Sequence, residues 1–353
     1  MASDSKKMPC YKPGRGRQAP NGTVTYYGHI QVAAGKLPPL PPNYKDFPLP
    51  CGKCTGCRLE RSRQWAVRLM HEAQQHKHNS FVTLTYKDSE LPNTGARAAA
   101  DAARSLSLGL PQPIDNHAYT EARTHEIQEG AASLSKADLT AFTKRLNENS
   151  RRKFGNGVKY YACGEYGDRT QRPHYHIAIF GEDFGVDRVF YKNAPSGKPL
   201  YRSKTLDRLW PHGGADIGDL TFESAAYIAR YVMKKHTGPK AIEHYMRENE
   251  RGEKYWLTPE FNVMSRRPGI AKKWFDKNRH DVYPHDHVIS RGHPAKPPRA
   301  YDKWLEQIDP YLLADIKKAR EDGPHNPDEE TNARLEVRQI CAQAKLNQTK
   351  RTL

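Results

Sequence analysis

The stretch RPHYHIAIFG, residues 172–181, decides the fold of this chain. Two histidines flank a tyrosine, and the apolar run that follows predicts a buried strand. Because residues i and i+2 of a strand point to the same face, His174 and His176 project side by side. VKYYACGEYG, residues 158–167, predicts another strand, and the short polar turn DRTQRP requires the two to pair in antiparallel fashion.

Other patterns along the chain predict helices and strands around this hairpin. Apolar residues recur at helical spacing in two segments, and Ser135 with Asp138 forms a capping-box pattern. The predicted elements are a helix at 58–75, a strand at 80–86, a helix at 135–155, a strand at 215–220 and a helix at 221–235. This order predicts an α+β domain, with one central antiparallel sheet and flanking helices packed on it.

Composition divides the chain into three predicted segments. Residues 1–57 are basic and rich in proline and glycine, and they contain a group of cysteines. Residues 58–284 form the predicted α+β domain, with an insertion at about 88–133 that lacks sustained periodicity. Residues 285–353 are polar and predict a partly ordered tail with one helix near 302–320.

Charge indicates the kind of partner. The 57 lysines and arginines exceed the 40 aspartates and glutamates, which gives a net charge of +17. Such an excess favours nucleic acid as the partner, although a basic surface can also serve solubility alone. An anionic membrane is disfavoured, since no stretch approaches the roughly 18 apolar residues of a spanning helix. The N-terminus lacks the apolar run of a signal peptide, so we expect a cytoplasmic protein.

A carboxylate is predicted to join the two histidines. In a hairpin of the two strands, Glu165 lies across from His174 and His176. One carboxylate and two imidazoles on one face suit Mg²⁺ or Mn²⁺ with positions left open for substrate. The alternative is a pair of strand-edge histidines bonded to the backbone and a glutamate that faces solvent.

The segment YIARYVMKK adds candidate nucleophiles. Tyr227 and Tyr231 are four residues apart on the predicted helix, and Lys234 completes the same face. The tyrosines could be ordinary core residues with a wet hydroxyl. Beside a metal site, however, a phenolate can attack a phosphodiester while the ion stabilises the developing charge. A lysine there can hold a phosphate or lower the pKa of a phenol.

The motif CGKCTGC predicts a metal cluster rather than a disulfide framework. Four thiolates could hold one structural Zn²⁺: Cys10, Cys51, Cys54 and Cys57. An iron–sulfur cluster could use the same thiolates, and unligated cysteines in a glycine-rich loop are a third interpretation. Cys163 and Cys341 are predicted to be structural.

Three segments in order, FVTLTY, RPHYHIAIFG and YIARYVMKK, resemble the motifs of the HUH endonucleases that initiate rolling-circle replication. The central residue of the HUH motif is hydrophobic in that family, and here it is Tyr175. PCGKCTGCRLERSRQWAVR and SRRPGIAKKWF resemble segments of the replication initiators of microviruses, small single-stranded DNA phages of the gokushovirus type. The resemblance covers roughly residues 49–275.

The resemblance implies a metal-dependent DNA nickase and strand transferase in phage rolling-circle replication. His174, His176 and Glu165 would be the metal ligands, and Tyr227 and Tyr231 the alternating nucleophiles assisted by Lys234. The implied partners are phage origin DNA and a host helicase and polymerase, in the cytoplasm of a bacterium. Candidate DNA-backbone contacts are Arg58, Arg61, Arg63, Arg68, Arg151, Arg152, Lys153, Arg266 and Arg267. The alternatives are a non-catalytic, zinc-stapled DNA-binding protein and an HUH transposase or plasmid relaxase.

Overall fold

The chain divides into two compact units, each with its own secondary structure. The computed structural model describes residues 10–92, 132–167, 170–230, 239–248, 254–323 and 326–348. Within them, residues of 69–273 form one unit, here called the central unit. Residues up to 68 and from 274 onward form the other, here called the terminal unit. No helix in the described ranges is both long and apolar enough to span a bilayer.

The described chain mixes strands and helices throughout. The strands are β1 (Gly14–Gln18), β2 (Val24–Tyr27), β3 (Lys45–Leu49), β4 (Asn79–Thr85), β5 (Lys159–Tyr166), β6 (Pro173–Phe180), β7 (Arg188–Asn193), β8 (Pro199–Ser203), β9 (Ala215–Gly218), β10 (Met246–Glu248), β11 (Lys254–Trp256), β12 (Phe261–Met264), β13 (Val288–Ser290) and β14 (His293–Ala295). The helices are α1 (His29–Ala33), α2 (Thr55–Ala73), α3 (Lys136–Phe154), α4 (Lys204–Leu209), α5 (Phe222–Arg230), α6 (Pro239–Tyr245), α7 (Lys272–Val282), α8 (Arg299–Ile308), α9 (Pro310–Glu321) and α10 (Asn332–Gln348).

The central unit is built on one antiparallel sheet of seven strands in the order β12-β5-β6-β4-β9-β8-β7. This confirms the predicted large antiparallel sheet with helices. The predicted hairpin is present as β5 and β6, and its register places Glu165 opposite His174 and Cys163 opposite His176. Strand β4 pairs with the other side of β6, and Thr83 lies opposite His176.

Alternation along these strands gives the sheet two distinct faces. The core face carries buried apolar residues such as Val82, Leu84 and Ile177, which form one cluster with residues of α3. Helix α3 begins as predicted, since the Ser135 hydroxyl accepts a hydrogen bond from the Asp138 N–H at 3.1 Å. The opposite face, here called the site face, carries Glu165 and the two histidines.

The terminal unit contains a three-stranded sheet in the order β2-β1-β3. The prediction of one helix near 302–320 was wrong, because two helices, α8 and α9, occupy this region. Asp309 separates them: its carboxylate accepts from the Leu312 N–H at 2.9 Å, and Pro310 follows at the first helical position. Such a cap and proline start a new helix rather than continue the old one.

Contacts within the terminal unit join the two ends of the chain. The Thr55 hydroxyl lies 3.4 Å from the side-chain oxygen of Gln343, and the Arg338 guanidinium lies 5.9 Å from the centre of the Tyr11 ring. The unit therefore contains residues from both the first and the third predicted segment. Most of the predicted insertion, residues 93–131, falls outside the described residues.

A buried carboxylate ties three parts of the central unit together. Glu72 of α2 is fully buried, and it lies 3.0 Å from the Lys159 ammonium of β5. It also accepts hydrogen bonds from the Ala271 N–H at 2.6 Å and pairs with His76 at 2.9 Å. Burial alone would raise the pKa of Glu72, but the hydrogen bonds from His76, Ala271 and Lys159 outweigh it and lower that pKa.

We expect Glu72→Gln to destabilise the protein by about 3 kcal/mol at pH 7, because it leaves Lys159 with no partner charge at this position. The contribution of Glu72 is present above about pH 4.3, the pKa of Glu in an unfolded chain. It is lost as the pH falls through the lower pKa of the folded state. Urea unfolding of both proteins between pH 3 and pH 7 measures this difference.

Glu148→Gln is the matched control. Glu148 forms an exposed i,i+4 pair with Arg152 at 2.7 Å, so its loss should change the free energy of unfolding little. Equal effects of the two substitutions would contradict the role assigned to Glu72.

Candidate metal and nucleophile site

Three predicted ligands converge on the site face of the central sheet. The Glu165 Oε2 atom lies 3.6 Å from His174 Nε2 and 3.5 Å from His176 Nε2. One ligand atom from each residue lies within 4.8 Å of the others. Glu165 and His176 are buried and His174 is partly exposed. The arrangement is a half-buried cradle of one carboxylate and two imidazoles that opens beside His174.

Hydrogen bonds orient both imidazole rings. His174 Nδ1 lies 3.1 Å from the carbonyl oxygen of Arg172. A carbonyl can only accept, so Nδ1 carries the hydrogen and the Nε2 lone pair is directed towards Glu165. His176 Nδ1 lies 3.0 Å from the hydroxyl of Thr83. Partners of this kind hold the rings of metal-binding histidines in place.

The sequence interpretation missed the contribution of β4 to the site. FVTLTY was predicted to be plain core strand, yet Thr83 bonds to His176 and the Phe81 ring stacks on the same imidazole at 5.6 Å. Alternation within FVTLTY was the available signal, since Phe81, Thr83 and Thr85 share a face. Using that signal requires knowing that β4 lies next to β6.

A tyrosine of helix α5 lies against the same group. The Tyr227 ring is centred 5.1 Å from the His176 ring at an interplanar angle of 85°, and 6.4 Å from the Phe81 ring. Tyr227 is partly exposed. The helix that carries the first candidate nucleophile thus packs on the site face, beside the histidines. Tyr231 and Lys234 lie outside the described residues.

The core face anchors the strand that carries the histidines. Tyr175, the central residue of the HUH motif, is fully buried, and its hydroxyl accepts from the Ser135 N–H at 2.8 Å. That hydroxyl lies 2.9 Å from the Tyr86 hydroxyl, which donates to Asp138 at 2.8 Å. Burial raises the pKa of Tyr175 far above its usual value, so this phenol stays protonated and is structural. The tyrosine replaces a hydrophobic residue because its ring fills the core while its hydroxyl binds the start of α3.

A second group of potential ligands lies in the terminal unit. The sulfur atoms of four cysteines lie within 4.8 Å of one another: Cys10, Cys51, Cys54 and Cys57. Cys54 Sγ and Cys10 Sγ are 3.9 Å apart. Backbone N–H groups of Tyr11, Cys51 and Cys54 point at these sulfurs at 3.2–3.3 Å. All four cysteines are free of disulfides.

The position of this group on α2 favours thiolates. Cys54 immediately precedes Thr55, the first residue of α2, and Cys57 lies in the first turn. A helix N-terminus stabilises negative charge. Hydrogen bonds from the Cys10 and Cys57 thiols hold the pKa of Cys54 below its usual range. The two other cysteines are separate: Cys163 is buried in β5 and Cys341 is exposed on α10.

Comparison with known proteins places the chain in a family. A family model described as replication-associated protein ORF2 matches residues 79–236, which begin at the first residue of β4 and include the histidines and both tyrosines. The replication-associated protein ORF2 of Spiroplasma virus 4 is 30% identical over 322 residues, which cover 89% of this chain and 86% of that protein. The chain belongs to the family of microvirus replication-associated proteins.

Other relatives have the same kind of name. The replication-associated protein VP4 of Bdellovibrio phage phiMH2K is 30% identical over 269 residues, 75% of this chain and 69% of that protein. The replication-associated protein ORF4 of Chlamydia phage 1 is 29% identical over 192 residues, 54% of this chain and 39% of that protein. The predicted resemblance is therefore confirmed. No solved structure shows a significant match.

The candidate DNA-backbone residues of this family member occupy both units. Arg58, Arg61, Arg63 and Arg68 belong to the terminal unit, whereas Arg151, Arg152, Lys153, Arg266 and Arg267 belong to the central unit. The central-unit group is exposed. Two of the terminal-unit arginines are engaged within the protein.

Arg63 pairs with Glu60 at 2.6 Å, and the Arg68 guanidinium lies 4.0 Å from the centre of the Trp65 ring. These two arginines therefore have structural contacts of their own. Their assignment to DNA remains a prediction.

Proposed function

We propose that this chain is a site-specific single-stranded DNA endonuclease and strand transferase that initiates and terminates rolling-circle replication of a small phage. The observation that carries the proposal is the packing of Tyr227 against His176, at 5.1 Å between ring centres. This contact brings a phenol to the group formed by Glu165, His174 and His176. Relatives named as replication-associated proteins support the biological setting.

The donor set suits a divalent ion of the Mg²⁺ or Mn²⁺ type. A carboxylate oxygen and two imidazole nitrogens would hold the ion: those of Glu165, His174 and His176. Three protein ligands leave coordination positions for oxygen atoms of a substrate. When bound, the ion would polarise the scissile phosphate and stabilise charge in the transition state.

The residues of the chain then perform a transesterification. The Tyr227 phenolate oxygen attacks the phosphorus, the bond from phosphorus to the 3′ oxygen breaks, and that oxygen takes up a proton as a free 3′ hydroxyl. The 5′ phosphate remains on the tyrosine as a phosphodiester, so no external energy source is needed for the later reversal. In that reversal a 3′ hydroxyl attacks the phosphotyrosine and restores the DNA backbone and the phenol.

The second tyrosine permits initiation and termination by one protein molecule. Tyr231 lies one helical turn beyond Tyr227 in sequence, so a continuing helix would place both phenols on one side. One would open a strand and the other would close it after a full circle, and Lys234 would bind a phosphate nearby. The proposed setting is a bacterial cytoplasm, where a host helicase separates the strands and a host polymerase extends the 3′ hydroxyl.

A covalent adduct tests the proposal directly. We expect the protein to become linked to a random-sequence, single-stranded 40-mer pool in the presence of Mn²⁺. The link should survive denaturation, and peptide mapping should place it on Tyr227 or Tyr231. Replacing both tyrosines by phenylalanine should abolish the adduct without preventing DNA binding, because only the attacking hydroxyls are removed.

Sequencing the captured DNA would also identify the nick site. An intact protein that binds the pool but never forms an adduct would support the zinc-stapled binding protein instead. Adducts that are never resolved into circular products would support a transposase or relaxase.

Thr83 provides a sharper test of the metal site. We expect Thr83→Val to raise the Mn²⁺ concentration for half-maximal adduct formation by about tenfold, since outer partners of metal ligands typically contribute 10–100-fold. Thr85→Val is the matched control, because Thr85 lies on the same strand and face but bonds to the Gly214 carbonyl at 3.2 Å. A Thr83 variant with the metal dependence of the wild type would argue against His176 as a ligand.

We also propose that the four cysteines hold one structural Zn²⁺. With Zn–S bonds of about 2.3 Å, a tetrahedral ion places its sulfurs roughly 3.8 Å apart, close to the 3.9 Å between Cys10 and Cys54. An iron–sulfur cluster inserts several atoms between the thiolates and needs a wider arrangement. The ion would tie Cys10 to the start of α2.

Metal analysis of the purified protein should find about one Zn²⁺ per chain. Cys54→Ser should remove the zinc and lower the unfolding temperature, because the terminal unit loses a cross-link between distant segments. Cys341→Ser is the control, since Cys341 is exposed and lies outside the group. Iron in place of zinc, or zinc unchanged in the Cys54 variant, would contradict this assignment.

A further inference from the structure

The edge of the central sheet carries an unusual hairpin. Strand β7 is the last strand of the sheet, and in the described residues it pairs only with β8. Its successive residues Val189, Phe190 and Tyr191 are 61%, 61% and 49% exposed. An edge strand with large apolar side chains exposed on both faces is a liability unless something binds it. The sequence interpretation did not single out this segment.

A continuous set of contacts connects this hairpin with the candidate site. Thr83, which bonds to His176, lies opposite Asp216 of β9 in the sheet register. The Asp216 carboxylate lies 2.6 Å from Arg202 of β8, and the Arg202 guanidinium lies 4.6 Å from the centre of the Tyr191 ring. Tyr191 therefore belongs to the site face. It lies four strands from β6, a distance of about 19 Å at the usual strand spacing.

The chemistry of the hairpin suits single-stranded nucleic acid. Residues 186–208 contain six basic and two acidic side chains. One of the acidic residues, Asp187, is used internally, since it binds Thr205 N–H at 2.7 Å and the Ser203 hydroxyl at 2.5 Å. Lys192 lies 5.0 Å from the centre of the Tyr191 ring. Aromatic rings that stack on bases, beside cations that bind phosphates, are the usual elements of single-strand binding.

A duplex fits this surface less well. A double helix hides its base faces in the stack, so it could use the cations of the hairpin but not the exposed ring of Tyr191. An unpaired strand offers both phosphates and base faces. The nick site of the proposed reaction must itself be unpaired to reach Tyr227.

We propose that the β7–β8 hairpin is a binding platform for single-stranded DNA on the site face, with Tyr191 stacking on a base and Lys192 and Arg202 contacting the backbone. The platform would hold DNA that flanks the nick site. This inference rests on the proposed nuclease function for its biological meaning, but the binding itself can be measured without catalysis.

The two faces of β7 supply a matched pair of variants. Phe190 packs edge-on against Tyr201 at 6.2 Å, and Tyr201 lies opposite the buried Ile217 on the core face. We expect Tyr191→Ala to weaken binding of a fluorescein-labelled 25-mer of thymidylate by about 5- to 100-fold. Phe190→Ala, a loss of similar size on the other face, should leave the affinity close to that of the wild type. Fluorescence anisotropy in EDTA measures binding with no reaction.

Salt dependence tests the backbone contacts. For a single strand, the slope of log affinity against log salt changes by about 0.7 for each phosphate contact. Lys192→Gln should reduce the slope by about this amount, and circular dichroism checks that each variant is folded. An unchanged affinity in the folded Tyr191 variant, or equal losses in the Tyr191 and Phe190 variants, would overturn the proposal.

Two further measurements separate this proposal from the others. If wild-type protein forms the covalent adduct while Tyr191→Ala binds DNA normally, the platform is wrong and the nuclease function stands. If no adduct forms but the hairpin variants lose binding as expected, the platform stands and the nuclease function fails. A dimer in light scattering that dissociates in the Tyr191 variant would instead assign the edge strand to a second copy of the chain.

Discussion

The register between β5 and β6 is the constraint on which the site depends. Glu165 lies opposite His174, and the i, i+2 spacing adds His176 to the same face. A slip of one residue would move Glu165 to the core face, where Tyr166 and Tyr175 now lie buried. The register is therefore protected by the core, because any shift that removes the metal ligands also exposes apolar surface and buries charge.

The core face holds the same strand from the other side. The Tyr175 hydroxyl accepts the Ser135 N–H, while the Ser135 side chain caps α3 through Asp138. The start of the helix and the middle of the histidine strand are thus joined within two hydrogen bonds. Since Tyr175 lies between His174 and His176, this anchor restrains the backbone that positions both imidazoles. A purely apolar residue at this position would fill the core but would not fix the helix to the strand.

Features encoded locally could be predicted, and features that depend on neighbouring strands could not. The β5–β6 hairpin followed from a short turn and two apolar runs, and the cap at Ser135 from a four-residue pattern. Thr83 was missed because its role depends on the pairing of β4 with β6, which no local pattern shows. The hairpin of β7 and β8 was missed because its exposed Val-Phe-Tyr run lacks the alternation of a half-buried strand. The tail helices were merged because a proline at the first helical position allows a second helix to follow directly.

Reversible strand transfer places a further demand on the site face. In the proposed chemistry, one DNA end becomes covalently attached to a tyrosine, whereas the other leaves as a free 3′ hydroxyl. Rejoining is fast only if the reacting ends remain close, because held groups react at a much higher effective concentration than free ones. The cradle around Glu165 is small and half-buried, so it can grip little more than the phosphate itself. Noncovalent retention of flanking DNA therefore has to come from other parts of the same face. The contacts from His176 through Thr83, Asp216 and Arg202 to Tyr191 provide a surface of this kind, on strands that pair directly with those of the site.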